Sequence, residues 1–537
     1  MVKLSERLIR ETHKGVDMLN YRHRPKNLQN ILHASTERFP DKPVFECLSR
    51  KVSYRQFSRD VYSLAAGMQR RLHVKKGDRV ALLLDNDIEF PLAFFAAATI
   101  GAVSVPINTR FVSKEIAYIL KDSGARVCIL NRGYKKDCLR AQKTALALEH
   151  LVVAVSPDAA SESGNDWVAL RDLLEDRQEE PDGVDVVEDD LASIFYTSGT
   201  MGQPKGALCT HRNFSVASLN VEMATGITAS DRQLICVPLS HPLGCHSQMI
   251  AGVYLGATMI IQRRFVADET LSLLKSAKVT TVVGVPTIYW LLLAQLKLKD
   301  YDLRSLQNVI YGGAPASPEL VRRLRETFPS ARMGNGYGLT ESSALATFLP
   351  DEYTMQKPDS VGPPVPTVQV RIVNDEGRDL PAGKIGEVLL KGPNIVAGYW
   401  QDAASTKETF QDGWLHTGDV GRLDEEGFLY IVDRKKDMII RGGENIYCVE
   451  IENVLESHPA IFEAAVVGEP DKVFGEQVAA FVVPNPGSSL DVDEILDYCE
   501  DYLADFKVPK FIKIVENLPR NPAGIIDKRV LRRITGS

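Results

Sequence analysis

The stretch Ile194–Gly206, with the sequence IFYTSGTMGQPKG, carries the clearest chemical signal in the chain. It begins as an apolar strand and runs into a loop with three glycines and several hydroxyl side chains, closing on Lys205 and Gly206. Glycines let backbone N–H groups turn toward a ligand, and hydroxyls and an ammonium add further donors. A tight glycine turn would explain one of these glycines but not the whole string. The stretch therefore predicts a loop that binds phosphate oxygens.

This loop differs from the phosphate loop of common nucleotide hydrolases, because neither Gly-Lys-Ser nor Gly-Lys-Thr ends it. Six further short motifs follow along the chain. They are Pro238–Gly244, Tyr311–Ala314, Gly336–Glu341, Gly413–Asp419, Asp433–Asp437 and Arg441–Asn445. In type and order the motifs resemble those of the adenylate-forming (AMP-binding) superfamily, in its acyl-CoA synthetase or fatty-acid–CoA ligase branch. The resemblance runs from about Asn27 to Leu531, nearly the whole chain.

The resemblance implies a two-step reaction. A carboxylate oxygen attacks the α-phosphorus of ATP and expels pyrophosphate, and a thiol then attacks the acyl carbonyl and expels AMP. Such chemistry needs positioned charges more than covalent help. The residues that would bind ATP by resemblance are Thr197, Ser198, Gly199, Thr200, Lys205, Gly312, Gly313, Ala314, Tyr337, Thr340, Asp419 and Arg434.

Within that set, the family motifs imply different partners. Thr197 to Lys205 is expected at the β- and γ-phosphates, Thr340 at the α-phosphate and Asp419 at the ribose hydroxyls. Glu341 is expected to bind Mg²⁺, a hard cation suited to a carboxylate. Alone, Asp419 could be a turn residue and Glu341 a helix-terminal charge, but the motif context favours binding roles. Met201 replaces a hydroxyl residue common at that position, so one phosphate contact is expected to be missing.

The acid pocket implied by the resemblance is mostly apolar or small in its lining. Its residues are His241, Leu243, Cys245, Val285, Tyr289, Gly312, Gly313 and Ser342. A lone histidine is often a satisfied core residue, so His241 is a catalytic candidate through its motif alone. The lining fits an apolar carboxylic acid, aliphatic or aromatic, and leaves chain length open.

The resemblance also implies a thiol and a moving domain. Peptide-synthetase adenylation domains carry an acid for the substrate amine, and Val237–Gly244 offers none, which favours coenzyme A as the thiol. Luciferases share the motifs and stay an alternative. Arg441, Gly442 and Gly443 would line the pantetheine path, and Lys436 would be the hinge of the small domain. A surface lysine in a charged turn would give the same residue type at 436.

Ile525 departs from the family pattern. It follows Gly524 in the stretch LPRNPAGIIDK, where the family carries a lysine that bridges the carboxylate and the α-phosphate during adenylation. Isoleucine supplies neither charge nor donor, and loss of such a contact costs on the order of 10²–10³ in rate. Lys528 points from another position and is no obvious replacement. We therefore expect slow adenylation and intact thiol transfer, with Ile525, Thr340, Glu341 and His241 as the catalytic positions.

Two explanations of Ile525 follow from its context. The surrounding motif is undecayed, which favours a deliberate replacement of lysine over a natural loss. If Ile525 is natural, the chain could instead be a pseudoenzyme that binds nucleotide or acyl-adenylate. An adenylate-forming enzyme with a different thiol acceptor is a further alternative.

The amino-acid composition is consistent with an enzyme that acts on small molecules. Lys plus Arg is 63 and Asp plus Glu is 70, a net charge of −7 that gives no reason to expect nucleic acid or an anionic membrane as partner. The eight cysteines form no C-x-x-C pair and are expected to be buried thiols in a reducing compartment. The N-terminus lacks the apolar core of a signal peptide, so a cytoplasmic enzyme is expected, and a homodimer is left open.

Short β-rich runs alternate with helical patterns in the part of the chain that carries the first motifs, which predicts βαβ units with largely parallel sheets. Strands are expected at 79–85, 102–107, 126–130, 258–262, 281–284 and 308–311, and helices at 91–100 and 114–121. From about Gln369 the pattern predicts a small β-barrel-like subdomain. The predicted class is α/β, with an N-terminal domain over 1–433 and a mobile C-terminal α/β domain over 434–537.

Overall fold

A computed structural model describes residues 4–13, 15–154, 166–174, 180–197, 203–295, 301–485, 487–521 and 524–535. Ser198, Gly199, Thr200 and Met201 of the predicted phosphate loop lie outside these residues. Within the described residues, no helix is both long and apolar enough to cross a lipid bilayer.

The first large sheet has seven strands, parallel except at one edge. In spatial order the strands are Gly206–Thr210, Leu191–Tyr196, Val103–Pro106, Arg79–Leu83, Val127–Asn131, His150–Ala154 and Val168–Ala169. The edge strand Gly206–Thr210 runs antiparallel to Leu191–Tyr196. The predicted phosphate loop therefore connects the two strands of a hairpin at the edge of this sheet.

The second large sheet has eight strands and a parallel centre. In spatial order they are Thr347–Leu349, Arg332–Tyr337, Asn308–Gly312, Thr281–Gly284, Arg232–Ile235, Thr258–Ile261, Pro43–Cys47 and Arg50–Ser53. The central strands end at the same edge of the sheet, where parallel α/β sheets bind their ligands. Three of the predicted binding motifs follow these strand ends.

A shared hydrophobic core joins the two sheets. Val80 and Leu82 face this core, whereas Ala81 and Leu83 face a second core on the other side of the first sheet. This is the alternation of a strand buried on both faces. The helix Glu89–Thr99, which is apolar all round, lies within the shared core, as expected for a helix without a solvent face.

Helices cover both sheets and surround the small domain. They are Leu4–Arg7, Leu28–Arg38, Tyr54–Leu72, Glu89–Thr99, Ser113–Ser123, Lys135–Ala141, His211–Thr225, Ala251–Leu255, Ala267–Ser276, Pro286–Leu293, Pro318–Thr327, Asp351–Thr354, Ala403–Thr409, Cys448–Ser457, Val492–Tyr502 and Lys528–Thr535. Short 3₁₀ turns occupy Arg132–Tyr134, Leu170–Leu174 and Thr340–Ser342, and Leu243–Ile250 is a π-helix.

Two antiparallel units complete the larger part of the chain. An N-terminal hairpin pairs Leu8–His13 with Val16–Tyr21. A five-stranded sheet corresponds to the predicted β-barrel-like subdomain. Its strands are Gln369–Val373, Gly386–Lys391, Phe410–Gln411, Trp414–Leu423 and Leu429–Arg434. In its last pair Asp419 lies opposite Arg434, so two predicted ATP-binding residues meet across the ladder.

The C-terminal part forms its own sheet and its own cores. The strands are Ile439–Arg441, Glu444–Ile446, Ile461–Asp471, Gly475–Pro484 and Phe511–Ile514. Two hydrophobic clusters lie within this part, one of them between the sheet and the helices Cys448–Ser457 and Val492–Tyr502. Phe462 reaches out of it and packs on Trp290 of the larger part, with ring centroids 5.9 Å apart. The α/β class and the large and small parts expected from the sequence are present.

A fragment of residues 432–537 should fold alone, because its sheet buries a separate core. We expect cooperative urea unfolding followed by circular dichroism. A shorter fragment of residues 447–537 lacks the two strands Ile439–Arg441 and Glu444–Ile446 at one side of the sheet and should be less stable. A gradual, non-cooperative transition in the longer fragment would contradict the boundary at residues 433 and 434.

Candidate active site

Glycines shape the edge of the second sheet where its parallel strands end. Gly312 lies opposite Gly336 in adjacent strands, and a Cβ atom on Gly312 would lie 2.2 Å from the Gly336 carbonyl oxygen. Gly313 has a φ of +75°, in the left-handed region that favours glycine. Both glycines therefore keep this edge open to a flat ligand or a close backbone approach.

The base of the predicted phosphate loop is closed by its own backbone. The Thr197 N–H donates to the Lys205 carbonyl at 2.9 Å, which continues the hairpin beyond Tyr196 and Gly206. The Lys205 ammonium lies 5.3 Å from the ring centroid of Tyr399. The loop thus starts and ends at one place, with a lysine held over an aromatic face.

Tyr399 also connects the loop to Glu341. Its hydroxyl donates to Glu341 Oε1 at 2.7 Å, and the Val396 N–H donates to the Glu341 carbonyl at 2.9 Å. The short 3₁₀ turn Thr340–Ser342 places the Glu341 side chain directly after the strand Arg332–Tyr337. The Lys205 ammonium and the Glu341 carboxylate are therefore positioned around the same tyrosine.

Asp419 is the most constrained charge at the site. Its residue surface is 3% exposed, Tyr337 donates its hydroxyl to Oδ2 at 2.7 Å, and Arg434 Nε lies 3.1 Å from Oδ1. Burial, followed by the charge of Asp419, holds the pKa of Tyr337 well above its usual value. Asp419, followed in effect by Tyr337, Asp437 and Glu341, raises the pKa of Arg434. The predicted ribose and metal residues therefore share one electrostatic environment.

His241 lies two residues before the π-helix Leu243–Ile250. Its Nδ1 accepts a hydrogen bond from the Leu243 N–H at 3.2 Å, and burial lowers its pKa to about 4. The imidazole is therefore neutral at pH 7, with Nε2 as its donor. A Cβ atom on Gly313 would lie 3.6 Å from Val285 and 4.0 Å from Leu243, so these three predicted acid-pocket residues are neighbours.

Other predicted acid-pocket residues are buried and bonded within the fold. Cys245 belongs to the core between the sheets. Tyr289 donates its hydroxyl to the Ile310 carbonyl at 2.7 Å, and Ser342 Oγ accepts the Leu339 N–H at 2.8 Å. The hydroxyls of Tyr289 and Ser342 therefore already form hydrogen bonds within neighbouring strands and turns. The contact of these residues with an acid stays a prediction.

The glycines of the predicted pantetheine path form a hairpin turn. Gly442 and Gly443 have φ values of +60° and +92° and connect the strands Ile439–Arg441 and Glu444–Ile446. A two-residue turn with both φ values positive suits the twist of a hairpin. Arg441 donates to the Phe506 carbonyl at 2.8 Å and lies over the Phe474 ring. These residues lie together on the small domain.

Ile525 lies in a tight loop that is fastened to the large domain. Its N–H donates to Asn521 Oδ1 at 3.0 Å, and Gly524 has a φ of +88°. Arg520 Nη1 donates to the Gly524 carbonyl and to Thr287 Oγ1, both at 3.0 Å. The loop that carries Ile525 is therefore held against the helix Pro286–Leu293, which begins directly after Val285 of the predicted acid pocket.

Lys528 is held elsewhere. Its ammonium lies 2.7 Å from Glu452 Oε1, and its side chain is 17% exposed. Glu452, Cys448 and Asp433 raise the pKa of Lys528 against the effect of its burial. This lysine therefore stabilises the small domain next to the hinge and does not replace a cation at position 525.

Sequence analysis missed two residues at the site. Tyr399 follows a glycine in a loop and carries no chemical motif, so only its long-range bond to Glu341 reveals it. Arg520 is part of the C-terminal motif, but its bond to Thr287 joins positions 233 residues apart. Neither contact has a local sequence signal.

Comparison with protein-family models decides the assignment. The model described as AMP-binding enzyme matches residues 32–400, and the model of the AMP-binding enzyme C-terminal domain matches residues 450–524. The chain belongs to the AMP-binding enzyme family. The second match ends one residue before Ile525.

Named relatives of this AMP-binding enzyme include two acid–CoA ligases. A feruloyl-CoA synthase of an Amycolatopsis species is 36% identical over 487 residues, covering 90% of this chain and 94% of the relative. A long-chain-fatty-acid–CoA ligase of Mycobacterium tuberculosis is 36% identical over 466 residues, covering 86% and 89%. The crystal structure of an anthranilate CoA ligase with anthranoyl-AMP superposes with a TM-score of 0.87 at 28% identity, covering 95% and 97%. Family, fold class and an AMP-forming acid–thiol ligase are thereby confirmed.

Replacing Asp419 should weaken nucleotide binding by this AMP-binding enzyme. We expect Asp419→Ala to raise the Kd for ATP with Mg²⁺ by about 10- to 100-fold, because hydrogen bonds to a charged group are lost. Isothermal titration calorimetry measures this. Asp379→Ala is the matched control, since Asp379 is exposed and pairs with Arg371 on the surface. An unchanged ATP affinity in folded Asp419→Ala protein would count against the assignment.

Lys528→Met tests the structural role of that lysine. Breaking its partly buried pair with Glu452 should lower the free energy of unfolding by roughly 2 kcal/mol, measured in urea, and leave the Kd for ATP unchanged. Lys507→Met is the control, because its pair with Glu450 is more exposed and should contribute less than about 1 kcal/mol. A selective loss of adenylation with full stability would instead assign Lys528 to catalysis.

Proposed function

We propose that this protein activates an apolar carboxylic acid as its acyl-adenylate and transfers the acyl group to coenzyme A. One observation carries the proposal: Lys205 and Glu341 are both held at Tyr399, and Arg434, which pairs with Asp419, also interacts electrostatically with Glu341. Separate charges for phosphates, metal and ribose are what a nucleotide requires at a single site. The relatives that are named as acid–CoA ligases support the same reaction.

In this proposal ATP contacts the two large sheets and the five-stranded sheet of the β-subdomain. Its adenine would lie by Gly312, Gly313 and Ala314, where the strand edge is kept open. Its ribose would be held by Asp419, and its phosphates would reach the loop between Thr197 and Lys205. Tyr337 and Arg434 hold the Asp419 carboxylate in place, so the ribose hydroxyls would meet a fixed acceptor.

Magnesium would enter with ATP. Glu341 offers one carboxylate, whose Oε1 accepts the Tyr399 hydroxyl, while Oε2 forms no hydrogen bond or ion pair with the residues that the structure describes. In the described residues no cluster of three or more His, Cys, Asp or Glu forms a cage for a metal. This donor set fits Mg²⁺, which binds through one or two carboxylates together with substrate phosphates. The bound ion would neutralise phosphate charge, and Thr340 would bond the α-phosphate.

The acid would lie between the π-helix and the end of the second sheet. Leu243, Val285 and Gly313 give an apolar wall, and neutral His241 adds a donor at Nε2. An uncharged wall favours the tail of an aliphatic or aromatic acid over a charged one. The relatives with feruloyl and long-chain fatty acyl names agree with this class.

The position of the small domain supports a split between the two half-reactions. Arg520 holds the loop of Ile525 against Thr287, two residues beyond Val285 of the predicted acid pocket, which supports a position of residue 525 near the acid during adenylation. The hairpin of Arg441, Gly442 and Gly443 would serve the thiol after the small domain turns at Lys436. With Ile525 in place, adenylation lacks its centred cation while thiol attack keeps its residues. A pseudoenzyme that binds acyl-adenylate remains the second candidate, on the single observation of Ile525.

Restoring the lysine should raise the first half-reaction. Ile525→Lys is expected to increase acid-dependent pyrophosphate release from ATP by about 10²- to 10³-fold, because an ammonium again faces the developing charge. The assay uses a panel of ferulate, benzoate, anthranilate and saturated fatty acids of increasing length. Ile525→Met is the control, since it supplies a long side chain without charge.

Two results would speak against this function. Pyrophosphate release that stays at the native level for every acid of the panel would favour the pseudoenzyme. An equal gain in Ile525→Met and Ile525→Lys would show that side-chain shape, and not charge, limits the step.

A further inference from the structure

The protein has no cation at position 525 for the adenylation step. The basic residues next to it in sequence do not offer another one. The four basic side chains nearest in sequence are engaged: Arg520 with Glu463, Lys528 with Glu452, Arg529 with Asp527 and Arg532 with Asp437. Arg520 is further fixed by its bonds to Thr287 and to the Gly524 carbonyl. None of these four side chains is free to act as the substitute cation, which points to another element of the structure.

The hinge segment borders a cavity of about 170 Å³, lined by Thr417, Gly418, Arg434, Lys435 and Lys436. Two of these cations are already neutralised. Arg434 pairs with Asp419 at 3.1 Å, and Lys435 pairs with Asp375 at 3.0 Å and with Glu387 at 3.7 Å.

Lys436 is different. Among the described residues its ammonium forms no ion pair, although it interacts electrostatically with Arg434, Asp437 and Asp419. Desolvation by neighbouring atoms, followed by the charge of Arg434, lowers the pKa of this exposed lysine to about 8, so it is still mostly charged at pH 7. The cavity lies beside the predicted ribose residue, because Thr417 and Gly418 of its lining directly precede Asp419 in the chain. An anionic ligand there would meet an ammonium that forms no ion pair with the described residues.

We propose that Lys436 is a catalytic residue of this chain, whose ammonium binds the α-phosphate during adenylation in place of the lysine absent at position 525. The inference rests on the proposed function. It assigns the Lys436 side chain a role besides that of a hinge, which needs only backbone freedom.

The step is the one already proposed, with a different source of charge. A carboxylate oxygen of the acid forms a bond to the α-phosphorus of ATP. The bond from that phosphorus to the oxygen bridging to the β-phosphate breaks, and its electron pair leaves with pyrophosphate. Lys436 transfers no proton and forms no covalent bond. Its charge offsets the negative charge on the α-phosphate oxygens, which is larger in the transition state than in the bound substrates.

A double-mutant cycle tests the assignment. Pyrophosphate–ATP exchange is measured in the native chain, Lys436→Met, Ile525→Lys and the double variant, with the panel acid that Ile525→Lys uses best. Lys436→Met should lower exchange by about tenfold or more in the native chain and by less than about threefold beside Lys at 525, because one cation suffices. Lys436→Arg should recover most of the native exchange.

Two controls separate charge from hinge motion. Lys435→Met removes a neighbouring ammonium that is already paired, and should change exchange far less than Lys436→Met. Transfer from preformed acyl-AMP to coenzyme A should be nearly the same in Lys436→Met and native protein. Circular dichroism checks that each variant is folded.

Three outcomes would overturn the proposal. In the first, Lys436→Met lowers exchange equally with Ile and with Lys at position 525, as a purely structural hinge residue would. In the second, thiol transfer falls as much as adenylation. In the third, the native chain shows no exchange while Ile525→Lys is active. Inactivity of Ile525→Lys with every acid would instead refute the proposed function itself, and the Lys436 assignment with it.

Discussion

The buried carboxylate of Asp419 is the interaction on which the geometry of the site depends. A carboxylate that is 3% exposed is costly unless it is paired and hydrogen-bonded. Its partners come from two units: Tyr337 ends a strand of the second large sheet, and Arg434 ends the last strand before the hinge. Satisfying this one charge therefore fixes the β-subdomain against the sheet edge where the nucleotide motifs lie.

The same constraint reaches the small domain through consecutive residues. Arg434 turns toward Asp419, while the carboxylate of Asp433 accepts the Cys448 N–H at 2.6 Å at the start of a small-domain helix. Burial raises the pKa of Asp433 to about 6, against the effect of Lys528 and its hydrogen bonds. A rotation at Lys436 would break the bond to Cys448. Asp433 therefore contributes to the free-energy difference between the two orientations of the domain.

Much of the fold follows from local pattern. The strand Thr281–Gly284 has the predicted bounds, because a short run of β-branched residues beside a glycine allows little else. The helix Glu89–Thr99 begins two residues before the predicted start. Its residues are buried on all sides, so the sequence has no alternation of polar and apolar positions that would mark where the helix begins. The nucleotide-binding motifs could be identified from the sequence because the residues of each motif are adjacent in the chain.

What could not be predicted depends on contacts between distant positions. Tyr399 reaches Glu341, and Arg520 reaches Thr287, across long stretches of sequence with no shared local signal. The hydroxyl of Tyr289 could equally have faced the acid, and only the structure shows it on the carbonyls of Val282 and Ile310. Local pattern identifies candidate groups, whereas tertiary packing decides which of them remain available to a ligand.

The central claim is that this chain keeps the thiol-transfer half of an acyl-CoA synthetase while its adenylation is impaired at Ile525. The most direct test is a single-turnover reaction of preformed acyl-AMP with coenzyme A, on the native chain and on Ile525→Lys in parallel. We predict thioester formation at similar rates in both proteins. No thioester from the native chain, or a rate raised by the lysine as strongly as adenylation, would contradict it.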